Sequence, residues 1–277
     1  VTARVVAVAN HKGGVGKTTT ALTLAAALAE LDAAVLAVDL DPQGCLGYAL
    51  GFEPGPDLPT IRDVLVDGRA LEDAVVLGDE VDLVPAEMDL AGAELALLSR
   101  PRREFLLRDA LAGLVDSYDA IVLDCPPSLG VLTVNGLTAA DDVVVPVLCE
   151  ALAHRGVVQL LRTVEDVRRL TNPGLSVRGI VATRFDPRTA HGRDVLRAIV
   201  DEVGLPLVGA PVRASVRFAE APARGRSLVA AHGPAGPPGL AAYRVIAREL
   251  AGLPVEESLL AAAGWDPATR SAVLGAA

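Results

Sequence analysis

Lysine is nearly absent from this 277-residue chain: two lysines stand against 23 arginines. Cysteine is scarce as well. The three cysteines, Cys45, Cys125 and Cys149, lie far apart with no C-x-x-C pair. That argues against a disulfide framework and against a zinc or iron–sulfur site, and it fits a reducing cytoplasm. Long apolar runs are missing too. The longest, 21–38 and 143–153, are broken by Glu30, Asp32 and Glu150, short of the roughly 20 uninterrupted residues a membrane span needs. No signal peptide is evident, because the N-terminus leads straight into a strand pattern.

Charge is plentiful but uneven. The net charge of −10 speaks against a nucleic-acid partner only as a total. Residues 1–150 carry nine basic and 24 acidic side chains, whereas residues 151–250 carry 15 arginines against eight acids. A basic segment is thus hidden inside an acidic chain. Local fields matter more than totals within a Debye length of about 8–10 Å.

Short valine-rich runs at 4–10, 34–41, 81–86, 120–127, 142–148 and 176–185 read as strands. Their apolarity is continuous, not alternating, as expected of strands covered on both faces. Helix-period segments lie between and after them, at 17–30, 90–98, 102–115, 154–170, 191–203 and 240–251. Strand–helix alternation of this kind predicts an α/β fold, a mostly parallel twisted sheet with helices on both faces. The stretches 52–60 and 232–239 are rich in proline and glycine and read as loops. Residues 1–251 form one expected domain, and residues 252–277 a short helical appendage to which the sequence assigns no role.

Both lysines fall in one stretch, "NHKGGVGKTTT" (10–20), between the first strand and the first helix. Glycines there let backbone N–H groups turn inward, and the helix N-terminus adds its positive dipole end, which together make an anion cradle. In such a loop Gly13, Gly14, Val15, Gly16, Lys17, Thr18 and Thr19 would enclose the phosphates of ATP. Lys17 would reach the β- and γ-phosphates, and the Thr18 hydroxyl would face Mg²⁺. The strict pattern G-x-x-x-x-G-K-[ST] asks for glycine at position 11, where this chain has His11.

The variant form, K-G-G-x-G-K-[ST]-[ST], resembles the deviant Walker loop of the MinD/ParA superfamily of P-loop ATPases, with Lys12 as its signature lysine. The resemblance implies an ATP-bound homodimer in which Lys12 crosses to the nucleotide of the other subunit. Both lysines then meet phosphate, one in cis and one in trans, where a compact ammonium is not replaced by a forked guanidinium. "VDLDPQG" (38–44) resembles the family's switch I, with Asp41 acting on the attacking water and Asp39 supporting the magnesium region. "IVLDCPPS" (121–128) resembles Walker B and switch II, with Asp124 holding Mg²⁺ through water. Cys125 reads as structural, since no histidine lies near it.

"DLDPQG", "DCPPSLGVLTVNGLTAADDVVVPV", "CEALAHRGVVQLLRTV" and "VRASVRFAEAPARGRS" together resemble the ParA/Soj branch over residues 4–251. That resemblance implies non-specific double-stranded DNA binding, a ParB-type partner that stimulates hydrolysis, and a nucleoid location for a cytoplasmic protein. Arg193, Arg197, Arg213 and Arg217 are the arginines expected to meet DNA, the last within the segment resembling the family's DNA-contacting region. The few residues before the first strand match the short, Soj-like type. Two stretches depart from the pattern, "GCLGYALG" after switch I and the C-terminal appendage. Alternative readings are a positioning ATPase for a protein cargo, a nucleotide-regulated module that barely hydrolyses, and a MinD-like membrane regulator. The tail carries one arginine against three acids, a poor match to the basic amphipathic helix of the last.

Overall fold

The computed structural model describes residues 2–53, 55, 58–150, 154–233 and 235–274. Parts of the expected loops at 52–60 and 232–239, the start of "ALAHRG" and the last three residues lie outside the described residues. Strands β1 (Arg4–Val8), β2 (Val35–Asp39), β3 (Asp82–Val84), β4 (Ala120–Asp124), β5 (Asp142–Leu148) and β6 (Ser176–Thr183) form one sheet, ordered β3-β2-β4-β1-β5-β6. All neighbours run parallel. Consecutive side chains point to opposite faces, so each strand feeds two cores. On β1, Val6 and Val8 enter one core while Val5 and Ala7 enter the other.

The first core is covered by α1 (Lys17–Ala29) and α10 (Pro238–Leu250), the second by α3 (Leu90–Leu98), α4 (Leu106–Leu111), α5 (Val131–Ala139) and α6 (His154–Leu170). Between these lie α2 (Cys45–Ala49), α7 (Ala190–Val203), α8 (Arg217–Glu220) and α9 (Leu228–His232). The strands follow the sequence pattern, most with shorter ends. The helices expected at 17–30, 90–98, 154–170, 191–203 and 240–251 are present to within two residues, whereas α2, α5, α8 and α9 are not among the expected helices. The expected helix at 102–115 is broken. Arg102 adopts a left-handed φ of 57°, a 3₁₀ turn spans Arg103–Phe105, and α4 ends at Leu111 in tight turns. Asn135, buried in α5, causes part of this. Its side chain accepts from the Leu107 N–H and donates to the Arg103 carbonyl, fixing the turn where a longer helix would pass.

The C-terminal stretch forms α11 (Glu257–Ala263) and α12 (Pro267–Leu274), and both pack into the first core. Trp265, 3% exposed, meets Phe185 edge to face at 6.3 Å. Among the described residues no helix is long and apolar enough to cross a membrane.

Candidate nucleotide site

β1 delivers the chain to the carboxyl edge of the sheet, and the loop 9–16 turns it into α1. Gly14 and Gly16 have φ of 73° and 89°, the left-handed region that glycine occupies without strain. A methyl group added at Gly13 or Gly14 would meet nothing within 4 Å, so the inner wall of the turn is open. The loop is held at two points from outside its own segment. Asn10, buried, donates through Nδ2 to the Pro146 carbonyl at 2.7 Å, and its Oδ1 accepts from the Lys12 N–H at 3.1 Å. Thr183, at the end of β6, places its hydroxyl 2.9 Å from the Val15 carbonyl and 3.2 Å from that of Val147.

Lys17 is buried, and its Nζ has one long contact, 3.4 Å, to the Lys12 carbonyl. Burial lowers its pKa, while Asp124 and Asp41 pull the other way. Asp124 ends β4, in register with Asp39 at the end of β2. It is fully buried, and neither of its oxygens has a hydrogen bond of ordinary geometry, although Thr18 lies beside it. Burial first, then the charges of Asp39 and Asp41, raise its pKa well above the carboxylate range. Asp39 is pushed up to about 7, chiefly by burial. Its oxygens are engaged, however, accepting from the N–H groups of Asp41 (2.9 Å) and Leu46 (3.0 Å). Asp39 therefore shapes the turn that carries Asp41, whereas Asp124 keeps two unpartnered oxygens.

Asp41 sits half-buried on the rim, its Oδ1 accepting from the Gln43 N–H. It faces a cavity of about 440 Å³ shared with Lys17, Thr18, Tyr48, Pro127 and Phe218. A second cavity, about 540 Å³, lies across the loop and is lined by Gly16, Thr19, Thr183, Arg213, Phe218 and Tyr243. No local motif marks Thr183, Phe218 or Tyr243 as lining residues here. Tyr243, on α10, shares a 2.8 Å hydrogen bond with Thr20. Cys125 is fully buried with its thiol pKa raised by desolvation, and so serves as packing.

Lys12, Lys17, Thr18, Asp39, Asp41 and Asp124 are thus brought to one edge of the sheet, but the four arginines are not gathered. Arg193 and Arg197 lie on α7 and donate to the carbonyls of Pro187 and Val273, both at 2.7 Å. Arg213 reaches the Gly264 carbonyl at 3.2 Å. Arg217, exposed at the start of α8, contacts the His232 Nε2 at 2.5 Å. Two more arginines of the same segment, Arg224 and Arg226, are exposed.

Known proteins match both the chain and this geometry. The family described as an AAA domain covers residues 3–177. The chromosome partitioning protein ParA of Caulobacter vibrioides is 42% identical over 230 residues, 82% of this chain and 86% of the relative. The sporulation initiation inhibitor protein Soj of Bacillus subtilis is 40% identical over 228 residues, 82% and 90% of the two chains. Among solved structures, cobyrinic acid a,c-diamide synthase from Mycobacterium smegmatis, with a bound ATP analogue and magnesium, superposes with a TM-score of 0.79. It is 46% identical, covering 90% of this chain and 94% of that one. The two-lysine loop, the parallel sheet that presents it and these relatives place the chain in one family: it belongs to the ParA/Soj group of partition ATPases within the MinD/ParA superfamily.

Proposed function

We propose that the chain binds ATP with Mg²⁺, pairs with a second copy of itself, and in that state binds double-stranded DNA without sequence preference on the nucleoid, until a ParB-type partner triggers hydrolysis. The observation that carries the nucleotide half is Asp124. A fully buried carboxylate with two unpartnered oxygens is costly unless a cation completes it. Thr18 and Lys17 both act on this carboxyl, so the residues present fit a magnesium–nucleotide pair. The diamide synthase is named for an amidation, and only its nucleotide and ion bear on this reading.

In this arrangement the N–H groups of Gly13–Thr19 and the Lys17 ammonium hold phosphate charge. Thr18 and Asp124 hold the ion. Asp41, anchored by the turn that Asp39 braces, orients a water at the rim. Magnesium, when bound, draws electron density from the phosphate oxygens. Lys12 exposes its side chain and would supply its ammonium to the nucleotide of the other subunit. DNA is met by phosphate electrostatics, with Arg217 as first contact and the exposed Arg224 and Arg226 beside it. Arg193, Arg197 and Arg213, already bound to carbonyls of their own chain, are second in line.

The test is DNA binding with ATP, with ADP, and with Lys12→Ala plus ATP, over a range of salt. Binding only with ATP, lost in Lys12→Ala and weakened as salt rises, is the expected result. Equal binding in all three states would overturn the reading.

A further inference from the structure

The two anchors of the loop hold different ends of it, and this separates their tasks. Thr183 holds Val15, which precedes the glycine that opens α1 and stands two residues before Lys17 in the chain. Asn10 holds Lys12. Its Nδ2 fixes it to β5 through the Pro146 carbonyl, and its Oδ1 fixes the Lys12 N–H. The Lys12 carbonyl has only the long contact, 3.4 Å, from the Lys17 ammonium. From the other side α6 closes in at Gly156. A Cβ there would lie 3.1 Å from the Asn10 Oδ1 and 3.5 Å from the Lys12 Cβ. The main chain of Lys12 is therefore held at its N–H and its flank, while its side chain stands exposed. A side chain that served only its own subunit's phosphates would not need a fixed base and an outward aim. One that must reach a group on another molecule does, because its misdirection is amplified along four methylenes.

We infer that Asn10 is a positioning residue for Lys12: it aims the exposed lysine across the dimer interface and contributes little to the nucleotide held within its own subunit. This rests on the proposed ATP-dependent dimer. The buried amide is suited to the task because it donates and accepts at once; neither serine nor aspartate does both at this length.

The experiment measures two quantities on the full chain. One is affinity for ATPγS with Mg²⁺ at a concentration where the protein is monomeric; the other is the ATPγS-dependent dimerisation constant by sedimentation. Asn10→Ala is expected to hold nucleotide within about threefold of the parent and to dimerise at least tenfold more weakly. Thr183→Val, which removes the other anchor, is expected to show the reverse order of effects. Lys12→Ala should match Asn10→Ala, and the double variant should be no weaker than Lys12→Ala alone, as expected when one residue acts through the other. Gly156→Ala is a second probe should Asn10→Ala fail to fold. It adds a good helix former, presses on the same two residues from α6, and should weaken the dimer while leaving nucleotide affinity in place.

Two results would overturn the inference with the dimer intact: a tenfold loss of nucleotide affinity in Asn10→Ala, or dimerisation equal to the parent. If Lys12→Ala itself dimerises like the parent, the proposed trans role of Lys12 fails, and the role of Asn10 fails with it.

Discussion

Asp39 and Asp124 end neighbouring strands in register, so two buried carboxylates repel across one ladder rung. Asp39 has an ordinary pKa near 4 in the unfolded chain and about 7 in the folded, metal-free protein. Between those values the native state binds a proton that the unfolded state has released, so stability falls as pH rises through roughly 4 to 7 and levels off above. Asp124 shifts in the same direction. Melting curves of the metal-free protein should therefore decline over that window. Magnesium should recover more stability at pH 8 than at pH 5. Asp124→Asn should melt a few degrees higher than the parent at pH 8 without metal, and should lose the gain from magnesium. A flat pH profile would contradict the account. At this scale the lysines and aspartates were legible, because composition and spacing single them out. Asn10 and Thr183 were not. Their meaning depends on partners at Pro146 and Val15, 136 and 168 positions away, which no local pattern encodes.

Among the elements, α11 and α12 carry the clearest energetic consequence. Trp265 and Val273 belong to the core beneath α1 and α10, and Arg197 and Arg213 donate to tail carbonyls. Trp265→Ala would remove a buried indole and its edge contact with Phe185, at a cost of about 3–5 kcal/mol, against a typical domain stability of about 5–15 kcal/mol. A large drop in the urea midpoint is the expected outcome; a change within error would show the tail to be peripheral. The sequence marks this stretch only as a short helical appendage, because what it covers is set by chain folded far away. The same limit applies to 102–115. Its periodicity is helical, yet an asparagine from α5 holds the turn that breaks it.

For the whole molecule, the alternation of strand and helix made the parallel sheet legible, and the glycines with two lysines located its functional edge. The distribution of charge was legible only as a segment. The structure sorts its arginines by what they already hold. Reversing Arg217 and Arg224 to glutamate should cut ATP-dependent DNA affinity at least tenfold with an unchanged melting curve. Reversing Arg197, which donates to Val273, should lower the melting temperature first. Filter binding at several salt concentrations, alongside thermal melts, would distinguish these, and DNA affinity unmoved by the double reversal would refute the assignment. The strand order has a consequence in time. β1 pairs with Ala120–Asp124 on one side and with residues from Asp142 on the other, so the first strand made has both edges open until the middle of the chain emerges. At about 5–20 residues per second of synthesis, that delay is roughly 6–23 s. The loop that holds ATP is thus translated well before the strands that frame it, and a nascent chain has no nucleotide site until its sheet is nearly complete.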